Sequence, residues 1–224
     1  MSVWPAIWLT LQLAIATTAV LLVISLPLAW WLATTRNRFR PLIEAVTALP
    51  LVLPPTVLGF YLLILMRPDA PFGAFWVSIT GDTLAFSFSG LLLASVIYSL
   101  PFAVQPLQTA FASVPIPVVD AARTLGATSR DAFFSISLPL AKRGFLTAAV
   151  LSFAHTIGEF GVVLMVGGNI PGKTRVVSIE IFSAVETLNY QTAHLLSLGL
   201  LLFSFLVLTL VYLMNGRAGG ARVG

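Results

Sequence analysis

Ile7-Trp-Leu-Thr-Leu-Gln-Leu-Ala-Ile-Ala-Thr-Thr-Ala-Val-Leu-Leu-Val-Ile-Ser-Leu-Pro27-Leu-Ala-Trp-Trp-Leu-Ala33 contains no charged residue. As a helix rising about 1.5 Å per residue it outruns the roughly 30 Å of a bilayer's hydrocarbon. Four further runs share its character: Ala45–Met66, Leu84–Thr109, Leu146–Val166 and Ala193–Met214. Hydrocarbon offers no partner to a backbone N–H or C=O, so such runs must be helices or strands of a closed barrel. Barrel strands alternate apolar and polar residues, and these runs do not. The expectation is an all-α, polytopic membrane helix bundle of five spans.

Composition agrees with that solvent. Of 224 residues 58% are hydrophobic and 9% charged, too little polar surface to coat a water-soluble globule. With no cysteine, the chain can form no disulfide framework, thiolate metal site or cysteine nucleophile. The first run has no basic residue before it and is too long for the core of a cleavable signal, so no such signal is expected. The net charge of +4 matters through its placement rather than its sum and need not imply nucleic acid.

An outside N-terminus puts Arg36, Arg38, Arg40, Arg123, Arg130, Lys142, Arg143, Arg217 and Arg222 in the cytoplasm and leaves Arg67, Lys173 and Arg175 outside. A basic excess marks cytoplasmic loops, so this orientation is preferred, with the C-terminal tail inside. Val176–Glu186 has an apolar face of Ile179, Ile181, Phe182 and Val185, but Glu180 and Glu186 oppose immersion. It is expected as an external amphipathic helix. A sixth, short or re-entrant span is the alternative, and would place the N-terminus inside.

Prolines interrupt the runs at Pro27, Pro50, Pro54, Pro55, Pro101 and Pro106, each removing a helical donor and predicting a kink or break. Pro54 and Pro55 followed by Gly59 predict a locally unwound stretch, which a membrane protein tolerates only inside the protein or along a water-filled path.

The polar segment of residues 114–139 can be parsed from its punctuation. Pro117 opens a two-turn helix, Asp120 sits in its first turns and Gly126 closes it. Thr128 or Ser129 caps a second helix with Asp131 in its first turn, running through Phe133 and Phe134 to Pro139. Ala121 and Ala122 leave one flank flat enough for another protein to approach. Asp120-Ala121-Ala122-Arg123, Gly126 and then Ile136-x-Leu138-Pro139 resemble the EAA loop of bacterial ABC-importer permeases, with Asp replacing the usual Glu. The resemblance covers nearly the whole chain. It implies one transmembrane permease domain over residues 1–224, with residues 114–139 forming a cytoplasmic coupling loop that docks in a groove of a separate ATPase. Leu49-Pro-Leu-Val-Leu-Pro54-Pro55-Thr-Val-Leu-Gly59 and Gly158-Glu159-Phe160-Gly161 are similar to the molybdate branch, while sulfate permeases share the second stretch.

The resemblance further implies import of molybdate or tungstate, with sulfate or thiosulfate as the alternative. No catalytic residue, metal or cofactor is expected in this chain, since ATP and Mg belong to two copies of the cytoplasmic ATP-binding subunit. The other partners implied are a second copy of the chain, an extracytoplasmic molybdate-binding protein and the lipid of the cell inner membrane, with no nucleic acid. Pro54, Pro55, Gly59, Glu159, Phe160 and Gly161 are pathway or gate candidates, and Lys173 and Arg175 external docking candidates.

Gly167-Gly-Asn-Ile-Pro-Gly172-Lys173-Thr174 matches the phosphate-binding G-x-x-x-x-G-K-[ST] letter for letter. A membrane helix precedes it instead of a buried strand, so it is read as an external turn. All twelve Lys and Arg lie in flanks or loops, so the path holds its anion weakly and leaves capture to another component. Glu159 is the acid within or near the end of a span, and His155, four residues earlier, is in position to pair with it. A gate-stabilising role is favoured over substrate contact, since a carboxylate repels an oxyanion. His194 is read as interfacial, and neither histidine has the partners a metal site needs. A secondary transporter would show inverted repeats and midplane acids, and an intramembrane enzyme clustered polar groups within the spans; neither pattern is present.

Overall fold

In the computed structural model, which describes residues 3–216, every regular element among those residues is a helix. Arg217 and Arg222, counted above as cytoplasmic, lie outside the described residues.

The chain opens with α1, Trp4–Thr34. Next come α2, Arg40–Val52, and α3, Pro55–Leu65, bent by 112° to each other. The second apolar run is therefore not one straight span: Pro54 cannot donate to the ladder, and Leu53 turns extended ahead of it. A short α4, Pro71–Thr80, leads to α5, Phe88–Ala112, whose first turn is capped by Ser87 Oγ accepting from the Gly90 N–H at 3.1 Å. Then follow α6, Ile116–Thr124, α7, Ser129–Ala132, a π-helical turn over Phe133–Ser137, and α8, Leu138–Leu140. At Ala141 the chain bends by 69° into α9, Lys142–Gly158. Glu159 and Phe160 separate α9 from α10, Gly161–Gly167, so the fourth apolar run is also divided. The last elements among the described residues are α11, Val177–Glu186, and α12, Tyr190–Gly216.

Three helices, α1, α5 and α12, are long and apolar enough to cross a membrane, and the number reaches five if each of the two bent pairs forms one span. With ten residues, about 15 Å, α11 is too short for a sixth. It lies against α1, α9 and α12 with Val177, Ile179 and Ala184 buried, while Phe182 and Val185 of its expected apolar face are exposed. Of the prolines expected to interrupt helices, Pro54 and Pro55 do so. Pro27, Pro50, Pro101 and Pro106 lie inside continuous helices.

The central element is α5, which packs against α1, α2, α3, α9 and α10. Val104 and Leu107 join Ala29 and Leu32 of α1 and Ala148 of α9 in one cluster. Ala94 joins Leu62 of α3 and Val162 and Val166 of α10 in a second, and Leu91 joins Leu9 and Leu13 of α1 and Ile179 of α11 in a third. Thr10 Oγ1 donates to Ala6 O at 2.7 Å and accepts from Val177 N–H at 2.9 Å, so a side chain of α1 satisfies a first-turn donor of α11.

Helices α5 and α9 meet closely at Gly144, where an added Cβ would lie 2.2 Å from Ala110 Cβ and 3.0 Å from Pro106 O. Gly144→Val should therefore force the pair apart and cost about 1–3 kcal/mol. Gly199, in α12, has open space around it. Gly199→Ala should be neutral or stabilising by up to about 1 kcal/mol. Thermal denaturation of the detergent-purified variants should show Gly144→Val melting below the parent and Gly199→Ala at or above it.

Candidate functional sites

The break at Leu53–Pro54 and the break at Glu159–Phe160 pack on each other. Leu53 and Pro54 are extended, with ψ of 135° and 133°, and release α3 to run across α10. A Cβ on Gly161 would stand 2.6 Å from Pro55 Cβ, and one on Gly59 would stand 2.7 Å from Met165 Cβ and 3.3 Å from Val162 Cα. Pro54, Pro55 and Gly59 thus come together with Phe160 and Gly161, candidates that lie about a hundred residues apart in the chain.

Glu159 occupies the second break, where ψ of 132° takes it out of α9. It is 4% exposed, and neither carboxylate oxygen has a hydrogen-bond partner among the described residues. Buried Ser95 of α5 is beside it, its hydroxyl equally unsatisfied by geometry. The Glu159 backbone carbonyl accepts from Ser178 Oγ at 2.5 Å, fastening the break to α11. The expected His155–Glu159 pair does not form. The i,i+4 relation holds only while a helix continues, and α9 stops at Gly158. His155 Nδ1 instead meets Ser99 Oγ at 2.9 Å, and its ring stacks on Phe102 at 3.9 Å between centroids. Ser99 was not singled out from sequence, because nothing local signals a partner 56 residues away.

The second candidate region projects from the far ends of α5 and α9. Ala127 N–H bonds Ala122 O at 3.0 Å and Gly126 N–H bonds Arg123 O at 3.0 Å, a Schellman closure of α6. Gly126 has φ of +92°, a conformation L side chains rarely adopt. Asp120 is the fifth helical residue, past the first turn where the dipole favours it most, and its carboxylate lies 3.6 Å from Arg123. No residue of α6 is buried, and Leu125 is 89% exposed. Ala121 faces outward, but Ala122 is half-buried, so the flat flank is narrower than expected.

Thr128 caps α7 in a reciprocal box. Its Oγ1 accepts from Asp131 N–H at 3.2 Å, and its own N–H donates to Asp131 Oδ2 at 3.0 Å. Thr128 Oγ1 also donates to Asp131 Oδ2 at 2.6 Å, and this bond together with the one from the Thr128 N–H holds the Asp131 carboxyl below its ordinary value. Past the cap, Phe133 sits 5.1 Å from the Trp30 ring of α1 and 5.8 Å from Phe111 of α5. Half-buried Ile136 and Leu138 follow, Leu138 against the α1–α5–α9 core, with Pro139 exposed. Glu44 is a tie the sequence reading passed over. It accepts from Arg40 Nε at 2.9 Å and from Gln108 Nε2 at 2.6 Å, joining α2 to α5. The Arg40–Glu44 spacing was legible; Gln108 was not.

The loop that spells a phosphate-binding motif is built differently. It follows α10 rather than a strand, and the N–H groups of Lys173, Thr174 and Arg175 all point at Ile170 O, at 3.2, 3.0 and 3.1 Å. Buried Thr174 Oγ1 donates to Gly167 O at 2.7 Å. These donors are spent within the turn and make no anion cradle. Lys173 is exposed, whereas Arg175 is committed inward: Nε donates to Asn169 Oδ1 at 2.5 Å and Nη1 lies 3.3 Å from Glu180 Oε2. Its expected availability for docking is thus not met in this conformation.

Residues 25–218 match the family described as "Binding-protein-dependent transport system inner membrane component". The chain is 58% identical over 207 residues to the molybdenum transport system permease protein ModB of Azotobacter vinelandii, covering 92% of each. It is 31% identical over 202 residues to the sulfate transport system permease protein CysT of Escherichia coli K12, covering 90% of this chain and 73% of that one. The fold is similar, with a TM-score of 0.74 at 15% identity, to a chain in the crystal structure of a bacterial alginate ABC transporter in complex with alginate pentasaccharide-bound periplasmic protein. That match covers 98% of this chain and 80% of the other.

The close approach of the breaks makes Gly161 and Gly158 an informative pair, since a Cβ on Gly158 meets nothing within 4 Å. Gly161→Ala should lose about 1–3 kcal/mol, because Pro55 is rigid and cannot swing aside. Gly158→Ala should leave the melting temperature within error of the parent in the same detergent assay.

Proposed function

The chain belongs to the family of binding-protein-dependent transport system inner membrane components, and from that premise we propose that it is the permease through which molybdate or tungstate enters the cell. Its cargo is delivered by an extracytoplasmic binding protein. Two copies of the chain form the pathway in the inner membrane, and two copies of a cytoplasmic ATP-binding subunit, which hold ATP and Mg, drive alternating access. The identity shared with a molybdenum permease, well above that with a sulfate permease, supports the cargo.

The observation that carries the reading is α6. A two-turn helix with no buried residue, presenting Ile116 and Val118 to solvent with exposed Leu125 just past its end, is an unsatisfied apolar surface in search of a partner. It is closed rigidly at Gly126 and rooted through Phe133 on α1 and α5, so a push on α6 reaches the bundle without dissipating in a flexible loop. Asp120, Ala121, Ala122, Arg123 and Gly126 form the docking element. Ile136, Leu138 and Pro139 form its root. The paired breaks at Pro54–Pro55 and Glu159–Gly161 serve as the gate region, with Glu159 stabilising the gate rather than meeting the oxyanion. On this reading the end bearing α6 is cytoplasmic and the N-terminus outside, where Lys173 remains available to an acidic partner.

Cells lacking only this chain should lose uptake of radiolabelled molybdate and regain it from a plasmid copy, with excess tungstate competing and sulfate not. Lost sulfate uptake with molybdate uptake intact would move the chain to the sulfate branch. Ala121→Arg or Gly126→Pro should reduce the co-purified ATPase by about tenfold or more, as for truncation of an interface hot spot, while the variant still inserts in the membrane.

A further inference from the structure

We propose that the groove between α5 and α9 is a transient oxyanion site at the cytoplasmic mouth of the pathway, with Arg143 and Gln105 as its donors. This rests on the transport reading above and names a station along that path. The groove has a volume of about 580 Å³ and is open on one side. Its α5 wall carries Phe102, Gln105, Thr109 and Ser113, and its α9 wall Arg143 and Thr147; positions three or four apart share a helix face. Its floor is the Gly144–Ala110 contact, where α5 and α9 come too close to leave room for a side chain.

Three observations point to an anion. Arg143 is exposed and makes no ion pair among the described residues, whose four ion pairs use Arg40, Arg67, Arg123 and Arg175. The Gln105 side-chain amide is likewise unpartnered there and stands on the same groove. Among the described residues no Asp or Glu lines it, so no acid on its walls cancels the guanidinium. Two other cavities differ: one of about 290 Å³ surrounds Lys142 with apolar side chains, and one of about 600 Å³ holds Arg67 already paired to Asp69. The Thr109, Ser113 and Thr147 hydroxyls donate to the carbonyls of Gln105, Ala110 and Arg143, so the Gln105 amide is what joins Arg143 in making this groove the better fit for a tetrahedral oxyanion. Its openness and mainly apolar walls keep the hold weak, as a release site requires.

The absence of cysteine makes the site directly addressable. Ser113→Cys places a thiol at the rim, with Ser135→Cys as an exposed reference in the π-helical turn. Assembled transporter in inverted membrane vesicles is treated with an anionic sulfonatoethyl or a cationic trimethylammonioethyl methanethiosulfonate. The anion-to-cation labelling ratio at position 113 should exceed that at 135 by about tenfold, the counter-ion enrichment of a cleft of one sign. It should fall to the reference level in Arg143→Gln and persist in Arg143→Lys. Sodium molybdate should slow labelling at 113 and not at 135, and sodium chloride of equal ionic strength should slow neither. The molybdate arm needs no change at Arg143, so a misfolded R143Q cannot mask the answer. If parent vesicles transport molybdate while labelling at 113 shows neither charge preference nor protection, the groove is no anion site. If they do not transport molybdate, the transport reading itself fails.

Discussion

A polypeptide in hydrocarbon cannot leave a peptide group unpaired, and a helix may break only where the rest of the protein closes around the break. Two of this chain's helix breaks, at Leu53–Pro54 and at Glu159–Phe160, are seated against each other. Pro54 stands at one; its neighbour Pro55 fills the space that Gly161, at the other break, leaves empty. Around this junction α5 supplies Ala94, α10 supplies Val162 and Val166, and α3 supplies Leu62, so the irregular backbone is sheathed in apolar side chains. A carboxylic acid is admitted there, Glu159, with its carbonyl satisfied by Ser178 and its carboxyl oxygens left without a hydrogen bond among the described residues. A buried polar group without a partner is a rare and costly feature, tolerated where function demands it.

The same central helix that encloses the junction carries the docking segment. At one end of α5, Ala94 and Leu91 pack the breaks and α11; at the other, Phe111 meets Phe133 at the root of α6. A displacement imposed at the exposed helix and a rearrangement at the breaks are thus connected by one rigid element, buried along much of its length. Interiors packed this tightly pass strain along rather than absorbing it.

Much of this was legible in the sequence. The run from Ile7 to Ala33 predicted α1 to within a few residues, Gly126 was read as a helix stop, and of the two caps left open, Thr128 and Ser129, the structure uses Thr128, because caps are local chemistry. Pro54 announced a break, though no sequence feature specifies the 112° turn, which is set by where α10 lies. Local reasoning failed wherever a side chain's partner came from elsewhere in the chain. His155 turned to Ser99 rather than Glu159, and Glu44 gained Gln108 beside its legible partner Arg40. Arg175 turned inward because α11 brings Glu180 back across the loop, which its basic character alone did not reveal.

The hydrogen bond from Val177 to Thr10 spans 167 residues. A ribosome adds residues from the N-terminus, so α1 enters the bilayer long before the segment it caps has been made. In that interval Ala6 and Leu9, whose partners include Val177 and Ile179, have only lipid or earlier helices beside them. The bundle cannot close on its first helix until its last third has been synthesised, so a chain truncated before α11 inserts without completing its core. Quality control in the membrane would meet such a chain as an orphan α1 face rather than as a misplaced loop.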